Sequence, residues 1–189
     1  MSSRHAYEIP FVSLKQGIHM YRYEITDKFF ADFKDQDFTD CQAVVDLALE
    51  KNPTLMRLKF DISGSVRVSC DRCGNPLKIN LWDEFNIIVK MVENPDEMNE
   101  QEEDPDIYYI GLQESHLHLS DWIYEFINLS IPYQRECAED EIGGPQCNKE
   151  VLEKLRRMRE ETEKGSNSIW KGLENLNLND ENQEDNETK

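Results

Sequence analysis

No stretch of this 189-residue chain stays apolar for the roughly 20 residues that a membrane-spanning helix requires, so a helical span is not expected. Positive charge is scarce. The 21 Lys and Arg residues stand against 39 Asp and Glu, leaving a net charge of -18. Long-range attraction to phosphate is therefore missing, and nucleic acid or an anionic lipid surface is repelled at a distance. A basic partner is easier to accommodate. No apolar stretch follows the opening "MSSRHAYEIP", and five cysteines, an odd number, do not suit a secreted disulfide scaffold. These features point to a reducing compartment, with cytoplasmic location as the expectation. Also missing are a Walker loop, a Gly-x-Gly-x-x-Gly fingerprint, a Gly-x-Ser-x-Gly elbow and a His-Glu-x-x-His helix. Carboxylates are plentiful, but abundance in an acidic chain nominates no catalytic pair, and no enzyme signature emerges.

What is present is a long run of period-two alternation, the mark of half-buried strands. "IHMYRYEI" places Tyr21, Tyr23 and Ile25 on one side, and "AVVDLALE" does the same for Val45, Leu47 and Leu49. After the Asn52-Pro53 turn, Met56, Leu58, Phe60 and Ile62 share a face, which makes a hairpin. Between the first two strands "TDKFFADF" predicts a short helix capped by Thr26 or Asp27. Gly64 breaks the pattern as a bulge or corner would. Val66 and Val68 lead into a cysteine turn, Leu77, Ile79 and Leu81 leave it, and Phe85, Ile87, Val89 and Met91 suggest one further strand. Residues 7 to 92 thus read as an antiparallel meander.

The next segment, about 93–106, is crowded with carboxylates and has no Lys or Arg, so it buries too little to offset its ordering entropy and is expected as a mobile loop. "SDWIYEFINLSIP" predicts a central amphipathic helix with Ser120 as N-cap, Asp121 at the positive dipole end and Pro132 as its stop. Trp122, Ile123, Phe126, Ile127 and Leu129 leave it little polar face. A second, more solvent-facing helix begins near Asn148 and ends near Gly165, and the Asn-rich acidic end has no expected structure. The fold class is therefore α+β: an antiparallel β-sheet meander packed by a central amphipathic helix, with a C-terminal helix and a disordered acidic tail. One domain over residues 1–164 and a flexible tail over 165–189 are expected.

Chemistry concentrates on sulfur. Cys70 and Cys73 lie in a Cys-x-x-Cys-Gly turn between strands, an arrangement that aims two thiolates to one side while backbone N–H groups turn toward them, as in tetrahedral zinc sites. Cys137 and Cys147, spanning a Gly-Gly-Pro turn, are the candidates for the other two ligands of a structural zinc. A redox dithiol is disfavoured, because such pairs sit at a helix N-terminus and here Asn75-Pro76 and a strand follow. A third reading, thiols that pack without metal, stays open. Cys41 is expected as a lone structural thiol. His116 and His118 share one side of an extended segment and read as a partly exposed strand face.

The order of strand-rich half, "CDRC", acidic stretch, "LHLSDWIYEFINLSIP" and cysteine-bearing turn resembles the YceD family over about residues 8 to 160. Its most specific parts are Cys70, Arg72 and Cys73 with Leu119, Ile123, Glu125, Leu129 and Pro132. The resemblance implies a cytoplasmic, non-enzymatic factor needed for large-subunit ribosomal RNA to accumulate. Many relatives carry a histidine before the cysteine that follows the proline, whereas "PYQREC" has none and offers Cys137. Some end in Asp-Pro-Arg-Trp with spaced leucines; here "SNSIWKGLENL" keeps Trp170, Leu173 and Leu176, a possible docking element for a partner. Against a charge of -18, direct contact with RNA needs a small basic focus such as Arg67, Arg72 and Lys78. Otherwise RNA is reached through a basic ribosomal protein in an assembly intermediate. No membrane or small-molecule partner is expected, and the competing reading is a zinc-stabilised interaction module with no tie to ribosomes.

Overall fold

A computed structural model describes residues 6–33, 36–137 and 147–169, the last six of these by backbone alone. The chain divides into two compact units, Met1–Cys137 and Ala138–Lys189. In the first unit β1 is Glu8–Ile9, β2 Gly17–Thr26, β3 Phe38–Lys51, β4 Leu55–Ser69 and β5 Pro76–Val92; α1 (Pro95–Gln101), β6 (Ile107–Gly111), β7 (Leu117–His118) and α2 (Ser120–Leu129) follow. The second unit contains α3, Lys149–Ile169.

The architecture is the expected α+β. Strands β2 to β5 pair antiparallel in chain order, and β6 adds itself parallel to β5, giving a five-stranded mixed sheet among the described residues. Alternation predicts its buried face closely: Val45, Leu47, Leu49, Met56, Phe60 and Val89 are inaccessible to solvent. Onto that face α2 lays Ile123, Phe126 and Ile127, with the Phe126 ring stacked on Phe85 at 4.3 Å and set against Phe60 at 5.1 Å. Burying each such side chain contributes about 1.5–3 kcal/mol, which makes this contact the main fastening of helix to sheet. A second aromatic group, Phe30, Phe33, Phe38 and Tyr124, packs against α2 as well, and in it Tyr124 stacks on Phe33 at 4.3 Å.

Several local expectations are corrected. The two strands expected on either side of Trp82 are one 17-residue strand, β5, because no residue between Leu81 and Phe85 interrupts the ladder to β4. Gly64 likewise lies within β4, and the register shift belongs to β3 opposite, between Thr39 and Gln42, where Asp40 takes a φ of 51°. Gly64 itself has a φ of +146°, and a Cβ there would lie 2.2 Å from the Gln42 carbonyl oxygen, so the bulged strand can approach only a glycine. Asp27 does not cap a helix. Its carboxylate accepts the backbone N–H groups of Cys41 (2.7 Å) and Asp40 (3.2 Å), securing the bulge, while Phe29–Asp32 forms a single 3-10 turn.

Ser120 is inside the first turn of α2 rather than at its cap, a position held by Leu119, and Leu129 is 61% exposed, so α2 keeps a more polar outer side than its sequence suggests. The acidic stretch contains a helix, α1. Pro95 starts it, and Asn99 fastens it by accepting the Tyr109 N–H (2.8 Å) and donating to the Tyr109 carbonyl (2.9 Å). Tyr109 also donates its hydroxyl to Glu102 at 2.7 Å. Two-way amide pairing of this kind orders backbone without a hydrophobic face, and a composition-based reading does not register it. In the second unit Asn148 caps α3 by accepting the Val151 N–H at 3.2 Å, and the helix continues through Gly165. No described helix is long and apolar enough to cross a membrane.

Candidate metal centre

The β4–β5 hairpin ends in the cysteine turn. Cys70 donates its N–H to the Asn75 carbonyl (2.8 Å), and Gly74, at a φ of +73°, donates to the Cys70 carbonyl (2.8 Å). This closes a loop in which Cys70 and Cys73 are both buried. The segment after α2 returns to meet it. Asp71 and Arg135 bind each other twice, through Asp71 N–H to the Arg135 carbonyl at 2.7 Å and Arg135 N–H to the Asp71 carboxylate at 2.9 Å. Two residues on, Cys137 comes to rest against the pair.

The Cys137 sulfur is 3.6 Å from that of Cys70 and 3.8 Å from that of Cys73, and the three buried sulfurs all lie within 4.8 Å of one another. Four sulfurs about 2.3 Å from a tetrahedral zinc are separated by about 3.8 Å, so the two distances from Cys137 match edges of such a tetrahedron. They are far longer than the roughly 2.05 Å of a disulfide. Burial pushes the Cys70 thiol up, but the N–H groups of Cys73, Cys137 and Arg72, together with the Cys137 thiol, all point at its sulfur and bring it down to about 7. A turn that stabilises thiolate in this way is prepared to ligate a metal ion. The pair also lies between two strands, without the helix N-terminus of dithiol redox proteins.

Of the other candidate residues, Arg72 directs its guanidinium inward, donating from Nη2 to the Cys137 carbonyl at 2.9 Å and meeting Glu136 at 3.5 Å. It thereby locks the returning segment beside the cysteine turn. Arg67 and Lys78 are cross-strand neighbours on the open face of the same hairpin, and Arg67 is paired with Asp40 at 3.0 Å. Arg72 is thus separated in role from the other two. Cys147 is buried just ahead of α3 in the second unit. Trp170, Leu173 and Leu176 lie outside the described residues. Cys41 stands apart from the sulfur group, its thiol directed at the Ile25 carbonyl (3.8 Å) and raised to about 11 by burial and by Asp27, partly offset by the Ala43 N–H.

Arg135 and Asp71 escape the sequence reading. An arginine shortly ahead of a cysteine, one residue before it in "CDRC" and two before it in "QREC", is a signal that could have drawn attention to Arg135. Its guanidinium also meets Asp37 at 2.6 Å, tying the segment to the start of β3.

Comparison with protein families decides the affiliation: the family described as "Large ribosomal RNA subunit accumulation protein YceD" matches residues 58–177. The chain belongs to the YceD family. Its match begins within β4, includes the cysteine turn and all four candidate sulfurs, and extends through Trp170, Leu173 and Leu176. The span differs from the resemblance drawn from sequence, which starts near residue 8: strands β1 to β3 lie outside it. No curated protein and no solved structure matches the chain.

Proposed function

We propose that this YceD-family chain is a non-enzymatic factor that supports accumulation of large-subunit ribosomal RNA, built around a structural zinc site and acting through contacts with a basic protein of an assembly intermediate. The observation that carries the zinc reading is the convergence of three buried sulfurs at 3.6 and 3.8 Å. Structural zinc is four-coordinate, and Cys147 is the proposed fourth ligand. Bound there, the ion cross-links the hairpin tip to the segment after α2.

The family description supports the ribosomal setting, and the net charge of -18 favours a protein intermediary over broad contact with RNA. Arg67 and Lys78 are the proposed local contacts for RNA or partner; Arg72 serves the same end by positioning the sulfur turn. Trp170, Leu173 and Leu176 are a proposed tail anchor. Location in the cytoplasm belongs to the same proposal.

Two measurements test this reading. Elemental analysis of chain purified without added metal should find about one zinc per chain, falling to near zero in Cys73→Ser and weakening in Cys147→Ser. Depletion in cells should lower large-subunit RNA relative to small-subunit RNA. Normal subunit ratios with zinc still bound would reject the ribosomal role and favour an interaction module of another kind.

A further inference from the structure

Between β6 and α2 the first unit opens into a groove of about 470 Å³ that the sulfur site does not use. Its floor is aromatic and apolar. Tyr108, 42% exposed, meets the Trp122 ring edge-on at 5.3 Å, with Ile110 beside them. Its rim carries Glu114, Asp121 and Glu125, all exposed, the last two one helical turn apart on α2. No Lys or Arg lines the groove, and among the described residues none of the three carboxylates is held in an ion pair. The remaining polar walls are His116 and His118, with His118 turned to Glu8 at 3.3 Å. Along the free edge of β6 lies α1, fastened to the Tyr109 backbone, within a stretch that has eight carboxylates and no Lys or Arg between residues 93 and 106. β6 thus has carboxylates both beside the groove and along its free edge.

Aromatic faces beside unpaired carboxylates select cationic side chains, because the ring quadrupoles and the formal charges attract the same partner. The same rim repels phosphate, which argues against a nucleic-acid strand in this groove. A second copy of the chain, also at -18, is repelled as well. Resting on the assembly reading above, we propose that the groove takes an extended arginine- or lysine-bearing segment of a basic protein partner. Its cations lodge against Tyr108 and Trp122 and face Glu114, Asp121 and Glu125.

The full chain is titrated with a short labelled peptide alternating arginine and alanine, followed by fluorescence anisotropy and by quenching of tryptophan emission. Neutralising the rim in a Glu114→Gln, Asp121→Asn, Glu125→Gln variant should weaken binding about tenfold, roughly a factor of two for each exposed charge pair. Tyr108→Ala should weaken it several-fold while circular dichroism stays unchanged; Trp122 is avoided because it also packs on Phe60. A control that removes as many charges from α3, Glu160→Gln, Glu161→Gln and Glu163→Gln, should lose no more than about twofold. Equal losses in rim and control variants would reduce the effect to net charge and overturn the proposal. So would absent peptide binding, or tighter binding of a uridine oligonucleotide of the same length. These results concern the purified chain. Subunit ratios after depletion judge the assembly role separately, so either idea can fail while the other stands.

Discussion

The sheet face under α2 and the sulfur corner at the hairpin tip hold the first unit by opposite means. Under α2, Phe60, Phe85, Phe126, Ile123 and Ile127 share one apolar layer in which each side chain has several neighbours, so losses there are graded and mutually buffered. At the corner, three thiols, the Asp71–Arg135 pair and the Arg72 contact to Cys137 join two segments more than sixty residues apart in sequence. That junction is made by polar and sulfur contacts. Its strength depends on the charge state of sulfur and on whatever the sulfurs hold. A hydrophobic layer tolerates change by degrees, whereas a ligand cluster works as a set.

The largest expected effect lies in the layer. Phe126→Ala should cost about 3–5 kcal/mol, since it removes both the stack on Phe85 and the contact with Phe60, and urea unfolding would show it as a lowered midpoint. A loss below about 1 kcal/mol would mean that α2 is not the main fastening. At the corner, Cys137→Ser should abolish the stabilisation that zinc gives, about 2–3 kcal/mol when free metal is near a hundredfold above the dissociation constant. The test compares unfolding with and without a chelator. Wild-type chain should lose stability to the chelator and the variant should not; an equal response from both would break the contrast between the two regions.

The smallest effect concerns Cys41, a buried core thiol that takes no part in the sulfur cluster. Its folded-state thiol is raised from an ordinary value near 9 to about 11, so the folded chain holds that proton more tightly than the unfolded chain does. The stability it contributes is intact below about pH 9 and is lost as pH rises through about 11. Stability curves of wild type and Cys41→Ala should therefore converge slightly over that window. Parallel curves would show that the thiol is not protected.

The strand faces were legible because the period of two is a local property: Val45, Leu47 and Leu49 declare their side wherever the strand ends up. The same logic placed α2 against the sheet and nominated Cys70 and Cys73 from their spacing. Other features were not legible for identifiable reasons. The continuity of β5 past Trp82 depends on its pairing with β4, and the Asp40 bulge depends on the Asp27 carboxylate reaching across from another element. Ordering of α1 depends on Asn99 meeting Tyr109, and the parallel pairing of β6 with β5 has no period to announce it.

By itself, then, the order of residues determined which side chains turn inward, which cysteines have ligand spacing, and a charge balance that favours basic partners. Tertiary structure alone decided that Cys137 joins Cys70 and Cys73, that Arg72 and Arg135 lock that meeting, and that Tyr108 and Trp122 share one acidic-rimmed groove. The physical reason is separation along the chain. Periodicity and composition act within a few residues, whereas a cluster assembled from distant segments exists only once the sheet and helix have brought its parts together.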